Sequence, residues 1–222
     1  MNKIIMVGGG KGGVGKSTVV FSVVDFLLSK GEKIVLVETD DSNPDTYKSL
    51  NKLVTSELCN LDAEEGFIKL GGIIESNKDA CIVVNTAARA TSSIIEHGGI
   101  LSDVVSELGR EIVMLWPMNR QRDSIELLKS FLDGSSGYSA TYALLNTYFG
   151  VSEKFSRFQT SKQKDRVSGT LIFPELNDLV SDKLIDNRLA LSNAEPVLSI
   201  AERSALRRYR EAANSVLGVL YG

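Results

Sequence analysis

Cysteine and histidine are scarce in this chain of 222 residues, with two of the first and one of the second. Cys59 and Cys81 stand far apart and form no C-x-x-C pair, so they are expected to be ordinary core or surface residues rather than a disulfide or a metal pair. His97, in "EHGG", has no second candidate ligand beside it, which argues against a metal centre there. No apolar run reaches membrane-spanning length and the N-terminus shows no signal-peptide pattern, so a soluble, cytoplasmic protein is expected. A formal net charge of −3 leaves no excess of cations to coat nucleic acid with the whole surface, although a local basic patch stays open. Internal repeats, low-complexity tracts and convincing linkers are absent as well. The length suits one sizeable α/β unit, and a single domain over 1–222 is expected.

What the chain does have is a glycine-rich loop, "GGGKGGVGKST", from Gly8 to Thr18. The spacing G-x-x-x-x-G-K-[ST] runs from Gly10 through Lys11, Gly12, Gly13, Val14, Gly15 and Lys16 to Ser17, with Thr18 next. Glycines at these places let successive backbone N–H groups turn inward around a phosphate; Lys16 reaches the outer phosphates and the Ser17 hydroxyl can ligate Mg²⁺. A short apolar strand, "KIIMV", precedes the loop, and an apolar stretch of helix length ending at Gly31 follows it. That helix would aim its positive N-terminal end at the phosphates. Lys11 is one lysine more than such a loop needs.

Five further apolar runs, "KIVLVE", "ACIVVN", "EIVMLW", "YALLN" and "TLIF", have strand character without strict alternation, as strands buried on both faces should. Helical stretches stand between them, and the chain closes on "SIAERSALRRYREAANSVLGVLYG". The alternation predicts a mostly parallel twisted sheet with helices on both faces, and hence a site at the carboxyl ends of the strands. The second strand ends in "VETDDSNPD", where Glu38, Asp40, Asp41 and Asp45 crowd together. Around a triphosphate such carboxylates repel one another unless Mg²⁺ or an attacking water lies between them. Asp41 and Asp45 suit a solvated turn. Asp40, just past the strand end, is the candidate to orient a water for in-line attack and to help hold the metal.

"KGGVGKST" resembles the deviant Walker A loop of the ParA/MinD ATPases, whose mark is a lysine just inside the loop, here Lys11. The resemblance implies an ATP- and Mg²⁺-dependent P-loop ATPase that forms a nucleotide-sandwich homodimer. In it Lys11 would reach the partner subunit's phosphates and act, with Lys16 and Asp40, in catalysis. The alternative for Lys11 is a salt bridge to an acid of its own chain such as Glu38 or Asp41. Asp40 matches the second acid of the family's D-x-D segment, while Glu38 stands where the first aspartate is usual. A larger departure is Asn85, at the place of the Walker B aspartate: an amide can hydrogen-bond a water on Mg²⁺ but lacks its charge. Slow hydrolysis is the expected result, and Asn85→Asp is expected to raise it.

The family uses a residue of the Asn146 type, at a strand end, to bind the adenine edge; the alternative is an asparagine capping the next turn. "IFPEL" resembles the family's last strand and its Pro-acidic turn, which would add Pro174 and Glu175 to the base pocket. Two basic segments bear on partners: Lys154, Arg157, Lys162, Lys164 and Arg166 with Phe155 and Phe158 among them, and Arg203, Arg207, Arg208 and Arg210 in the final helix. Clustered cations of this kind can neutralise DNA phosphates without reading sequence, or they can be ordinary solvated faces. The resemblance thus implies positioning or partition of DNA, a plasmid above all, directly or through a DNA-bound adaptor, with nucleoid association in that case. A membrane-associated role of the MinD sort and a metabolic synthetase of the same superfamily are the alternatives. The apolar end "SVLGVLYG" has no basic residues for a membrane surface, and no second substrate pocket is legible.

Overall fold

The computed structural model describes residues 2–221. Its elements alternate as the apolar runs predict: β1 (Lys3–Val7), α1 (Lys16–Ser29), β2 (Ile34–Glu38), α2 (Asp45–Leu50), β3 (Thr55–Leu58), α3 (Glu64–Ser76), β4 (Cys81–Asn85) and α4 (Thr91–Glu107). Then come β5 (Glu111–Met118), α5 (Arg122–Gly134), β6 (Ala140–Asn146), α6 (Ser156–Gln159), β7 (Gly169–Phe173), α7 (Asp178–Asp186) and α8 (Ile200–Leu217). The strands form one sheet in the order β3-β2-β4-β1-β5-β6-β7. Every pairing is parallel.

Side chains alternate across each strand, so one sheet feeds two cores. Ile5 and Val7 of β1 join Leu36 and Val83 under α1, α7 and α8. Ile4 and Met6 join Val37 and Val84 on the opposite face under α3, α4, α5 and α6. Both neighbours of each residue are apolar because both faces are covered, which is why the strands read as unbroken apolar runs. Cys81 lies in the first core and Cys59 in the second, both as free thiols on opposite faces of the sheet.

Three elements escape the apolar pattern. β3, "TSEL", is a largely exposed edge strand with no apolar run to announce it. α2 and α7 are short, and only a few of their side chains are buried. α4 begins well before Gly99, since Gly98 and Gly99, at a cost of about 1 kcal/mol each relative to alanine, are carried inside it by packing on both sides. Phe155 and Phe158, which sit among the cations of the first basic segment, are both 1% exposed and anchor that segment to the core. They are not free to stack on bases.

α1 and α8 pack together on one face. α8 starts in a capping box, with Ser199 and Glu202 each bonding the other's backbone. Midway along, Arg210 forms a two-pronged pair with Asp25 of α1, Nε to Oδ2 at 2.8 Å and Nη2 to Oδ1 at 2.9 Å. Beside it the hydroxyls of Ser22 and Tyr209 lie 2.7 Å apart. Arg210 was expected with the DNA-facing arginines; its guanidinium instead neutralises a buried carboxylate. Arg210→Ala therefore strands the Asp25 charge and should cost about 3 kcal/mol in a urea denaturation measurement. Arg210→Lys should recover only part of that loss, because an ammonium cannot make the paired contact.

Candidate functional site

Because every strand points the same way, the loops after β1, β2, β4, β6 and β7 open on one side of the sheet. They enclose a cavity of about 530 Å³. Its floor is Gly12, Gly13, Gly15, Lys16, Ser17 and Thr18, between β1 and α1. Gly13 and Gly15 have φ of 74° and 96°, a left-handed conformation that side chains resist. At Gly15 a Cβ would also overlap the amide nitrogen of Asn146. Lys16 turns back over the loop, donating to the carbonyls of Lys11 at 2.8 Å and Gly9 at 3.3 Å. Burial pushes its ammonium down to about 8, with Asp40 and Glu38 opposing that shift. In this loop a phosphate would meet inward backbone amides, a helix N-terminus and a lysine that already curls over its place.

The walls come from the other loops. Asp40, Asn43 and Asp45 follow β2; Asn85, Thr86 and Ala88 follow β4; Asn146, Tyr148 and Phe149 follow β6; Pro174 and Leu176 follow β7. α7 closes the far side with Asp182 and Ile185. Asp40 Oδ1 meets Ser42 Oγ at 2.5 Å, the Asn43 amide at 3.2 Å and Arg89 Nη1 at 3.9 Å. The Ser42 hydroxyl is the main reason the Asp40 carboxyl sits below its usual range. Arg89 also reaches Asp41 at 3.5 Å and grips Asp62, tying the ends of the β2, β3 and β4 loops together.

Ser17, Asp40 and Asn85 thus line one cavity, as the sequence places them. Among the described residues no group of three or more His, Cys, Asp or Glu side chains could cage a metal. Mg²⁺ taken with a phosphate chain keeps several waters and needs only one or two protein oxygens. The residues present fit that ion: Ser17, Asp40 and Asn85 line the cavity, and the buried Asn85 Oδ1 has no protein hydrogen-bond partner.

Of the other expected residues, Asn146 lines the cavity, whereas Glu175 and Lys11 do not. Asn146 is 6% exposed, and its amide nitrogen donates to the Val14 carbonyl at 3.0 Å while its oxygen accepts from the Tyr148 amide at 3.1 Å. It caps the next turn and clasps the phosphate loop at the same time. Glu175 is exposed and does not line the cavity; burial falls instead on Leu176, which the apolar face of α7 draws inward. Lys11 leaves the cavity too. Its ammonium lies 2.5 Å from both Asp123 Oδ2 and Gln121 Oε1 at the start of α5, and not beside Glu38 or Asp41. Residues that sequence missed, such as Thr86, Tyr148, Leu176 and Asp182, belong to loops or to α7. The Asn177 cap before "DLVSDKLID" was the signal that could have revealed that helix.

A parallel sheet of this order with a phosphate-binding loop after its central strand defines a P-loop NTPase fold. The chain belongs to the CobQ/CobB/MinD/ParA nucleotide-binding domain family, whose model matches residues 5–218. It is similar to Protein MobD of Acidithiobacillus ferrooxidans, 39% identical over 223 residues that cover 98% of each chain. It is also similar to Protein TraL of Escherichia coli, 26% identical over 233 residues and 95% of each chain. Among solved structures, a protein from Borrelia burgdorferi described as a plasmid partition protein, bound to AMPPNP, superposes with a TM-score of 0.57 at 18% identity, covering 99% of this chain and 98% of that one. MinD of Aquifex aeolicus superposes with a TM-score of 0.55 at 15% identity over 97% of both chains. These two structures share the fold.

The clasp yields a prediction. Asn146→Asp sets a carboxylate against the Val14 carbonyl and should loosen the phosphate loop, weakening ATP and inorganic triphosphate alike by about tenfold, the scale of one buried hydrogen bond. Titration calorimetry with both ligands checks it. A loss confined to ATP would assign Asn146 to the base instead.

Proposed function

We propose that this chain binds Mg-ATP in the cavity, closes into a nucleotide-sandwich homodimer and uses slow ATP hydrolysis to leave that state. The observation that carries the reading is the division of labour between the two lysines of one loop. Lys16 curls over its own phosphate place, whereas Lys11 points out of the cavity. Lys11 and Asp123 are 36% and 48% exposed at the side chain, and a pair so open to water is worth only about 0–1 kcal/mol. A second chain's phosphates can therefore draw Lys11 away at little cost and gain a cation where charge builds during phosphoryl transfer. ATP and ADP, with Mg²⁺, are the ligands this reading requires; Asp40 orients the water.

Two variants test the division. Lys16→Ala should abolish ATP binding. Lys11→Ala should still bind one nucleotide per chain but remain monomeric with ATP in sedimentation and lose turnover. A Lys11→Ala protein that dimerises and hydrolyses normally would remove the cross-subunit role. Asp40→Ala should bind and dimerise without turning over, read as phosphate release.

The proposed cargo is DNA, a plasmid above all, bound directly or through an adaptor, in partition or in mobilisation; the names of the two relatives fit the second setting. Support comes from α8, where Arg203, Arg207 and Arg208 are exposed and the first two share a surface recess. No described helix is long and apolar enough to cross a membrane. Arg207→Ala combined with Arg208→Ala should weaken binding of the ATP-bound protein to every DNA sequence alike, with a reduced salt dependence, in fluorescence anisotropy. No DNA binding by the unaltered protein in any nucleotide state would leave a protein scaffold as the partner.

A further inference from the structure

Two departures that look unrelated in sequence, Glu38 and Asn85, are neighbours in space. They are register partners on β2 and β4. Asn85 Nδ2 donates to Glu38 Oε2 at 2.9 Å, and the Thr46 hydroxyl hydrogen-bonds the same oxygen. The Asp40 amide donates to Oε1 at 2.9 Å. Glu38 is 1% exposed and Asn85 6%. A carboxylate this enclosed needs donors on both oxygens, and Asn85 at the end of β4, Thr46 of α2 and the Asp40 amide past β2 supply three.

The contact also fixes the amide. With its nitrogen committed to Glu38, Asn85 keeps a carbonyl oxygen that is buried and without a protein donor, in a residue that lines the phosphate cavity. An orphaned acceptor at such a place calls for a donor or a cation from the ligand. We propose that Glu38 and Asn85 work as one carboxylate divided over two strands. Asn85 Oδ1 meets the hydration shell of the Mg²⁺ that arrives with ATP, and Glu38 behind it supplies the negative charge and holds the amide in place. Glu38 is thereby a positioning residue, acting through Asn85. The charge sits one strand away from a residue on β4, and Thr46 of α2 is part of its support.

The inference rests on the nucleotide site described above and deepens it. It also changes one expectation: Asn85→Asp by itself places two carboxylates in contact, so it should not raise turnover. Moving the charge, with Glu38→Gln and Asn85→Asp together, should be tolerated where the single changes are not.

Binding of a fluorescent ATP analogue, measured against Mg²⁺ concentration and in EDTA, with Mn²⁺ binding followed by electron paramagnetic resonance, tests this without reading turnover. Glu38→Gln and Asn85→Ala should each raise the Mg²⁺ concentration needed for half-maximal effect by about tenfold, the usual scale for a residue supporting a metal, while affinity in EDTA stays unchanged. The double variant should return most of that loss. A Glu38→Gln protein with unchanged Mg²⁺ and Mn²⁺ responses, or a double variant no better than Glu38→Gln, would overturn the divided carboxylate. Should Glu38→Gln fail to fold, Asn85→Ala and the double variant decide between the same two results. Failure of the unaltered protein to bind the analogue even in EDTA would overturn the nucleotide site itself, a separate outcome.

Discussion

Parallel pairing of all seven strands is the constraint on which the site depends. It sends every strand end to one side, so residues far apart in sequence reach the same cavity without any loop having to travel. The strand order then decides who meets whom. β1 lies between β4 and β5, which puts the phosphate loop beside the Asn85 loop on one flank and the start of α5 on the other. Lys16 stays inward over the loop carbonyls, and Lys11 is left to the side where Asp123 and Gln121 begin α5.

Charge follows from the same layout. Glu38, Asp40 and Lys16 stand close enough that both acids favour the lysine's charged form, while burial works against it. A triphosphate entering this region adds negative charge to one that already holds two carboxylates. Lys16 offsets part of it, and under the proposed function a Mg²⁺ arriving with the phosphates would offset more. Burial also raises the Glu38 carboxyl above its usual range, against the pull of Thr46, the Asp40 amide and Asn85. Its donors come from three elements, so the charge depends on the tertiary structure, whereas that of Asp40 rests first on its near neighbour Ser42.

Legibility in sequence tracked the range of the forces involved. The six apolar strands, the loop and the long helices were readable because burial on both faces imposes a local apolar signature. β3 and α7 were not, since an exposed edge strand and a short cover helix bury too little to leave one. The same division holds in the site. Lys16, Ser17, Asp40 and Asn85 could be placed from motif and strand end, and all line the cavity. The partners of Lys11, Asn146 and Arg210 could not, because Asp123, Val14 and Asp25 lie more than a hundred residues away in sequence. Asn146 shows how both readings of one residue can be too narrow. As a cap it was legible from "NT", yet its second bond, to the loop that β1 presents, exists only once β6 has paired beside β5.

α1 joins these two scales. Its first residue is Lys16, and one turn to three turns further on Ser22 and Asp25 hold Tyr209 and Arg210 of α8. An 18-residue amphipathic helix carrying exposed arginines is therefore fastened to the helix that begins at the phosphate place. The fastening is an ion pair that is buried on the α1 side, with the Asp25 side chain 3% exposed, so sliding one helix along the other would uncover a charge. That pairing explains why Arg210 is placed among the surface arginines by spacing but belongs, by its partner, to the contact between the two helices.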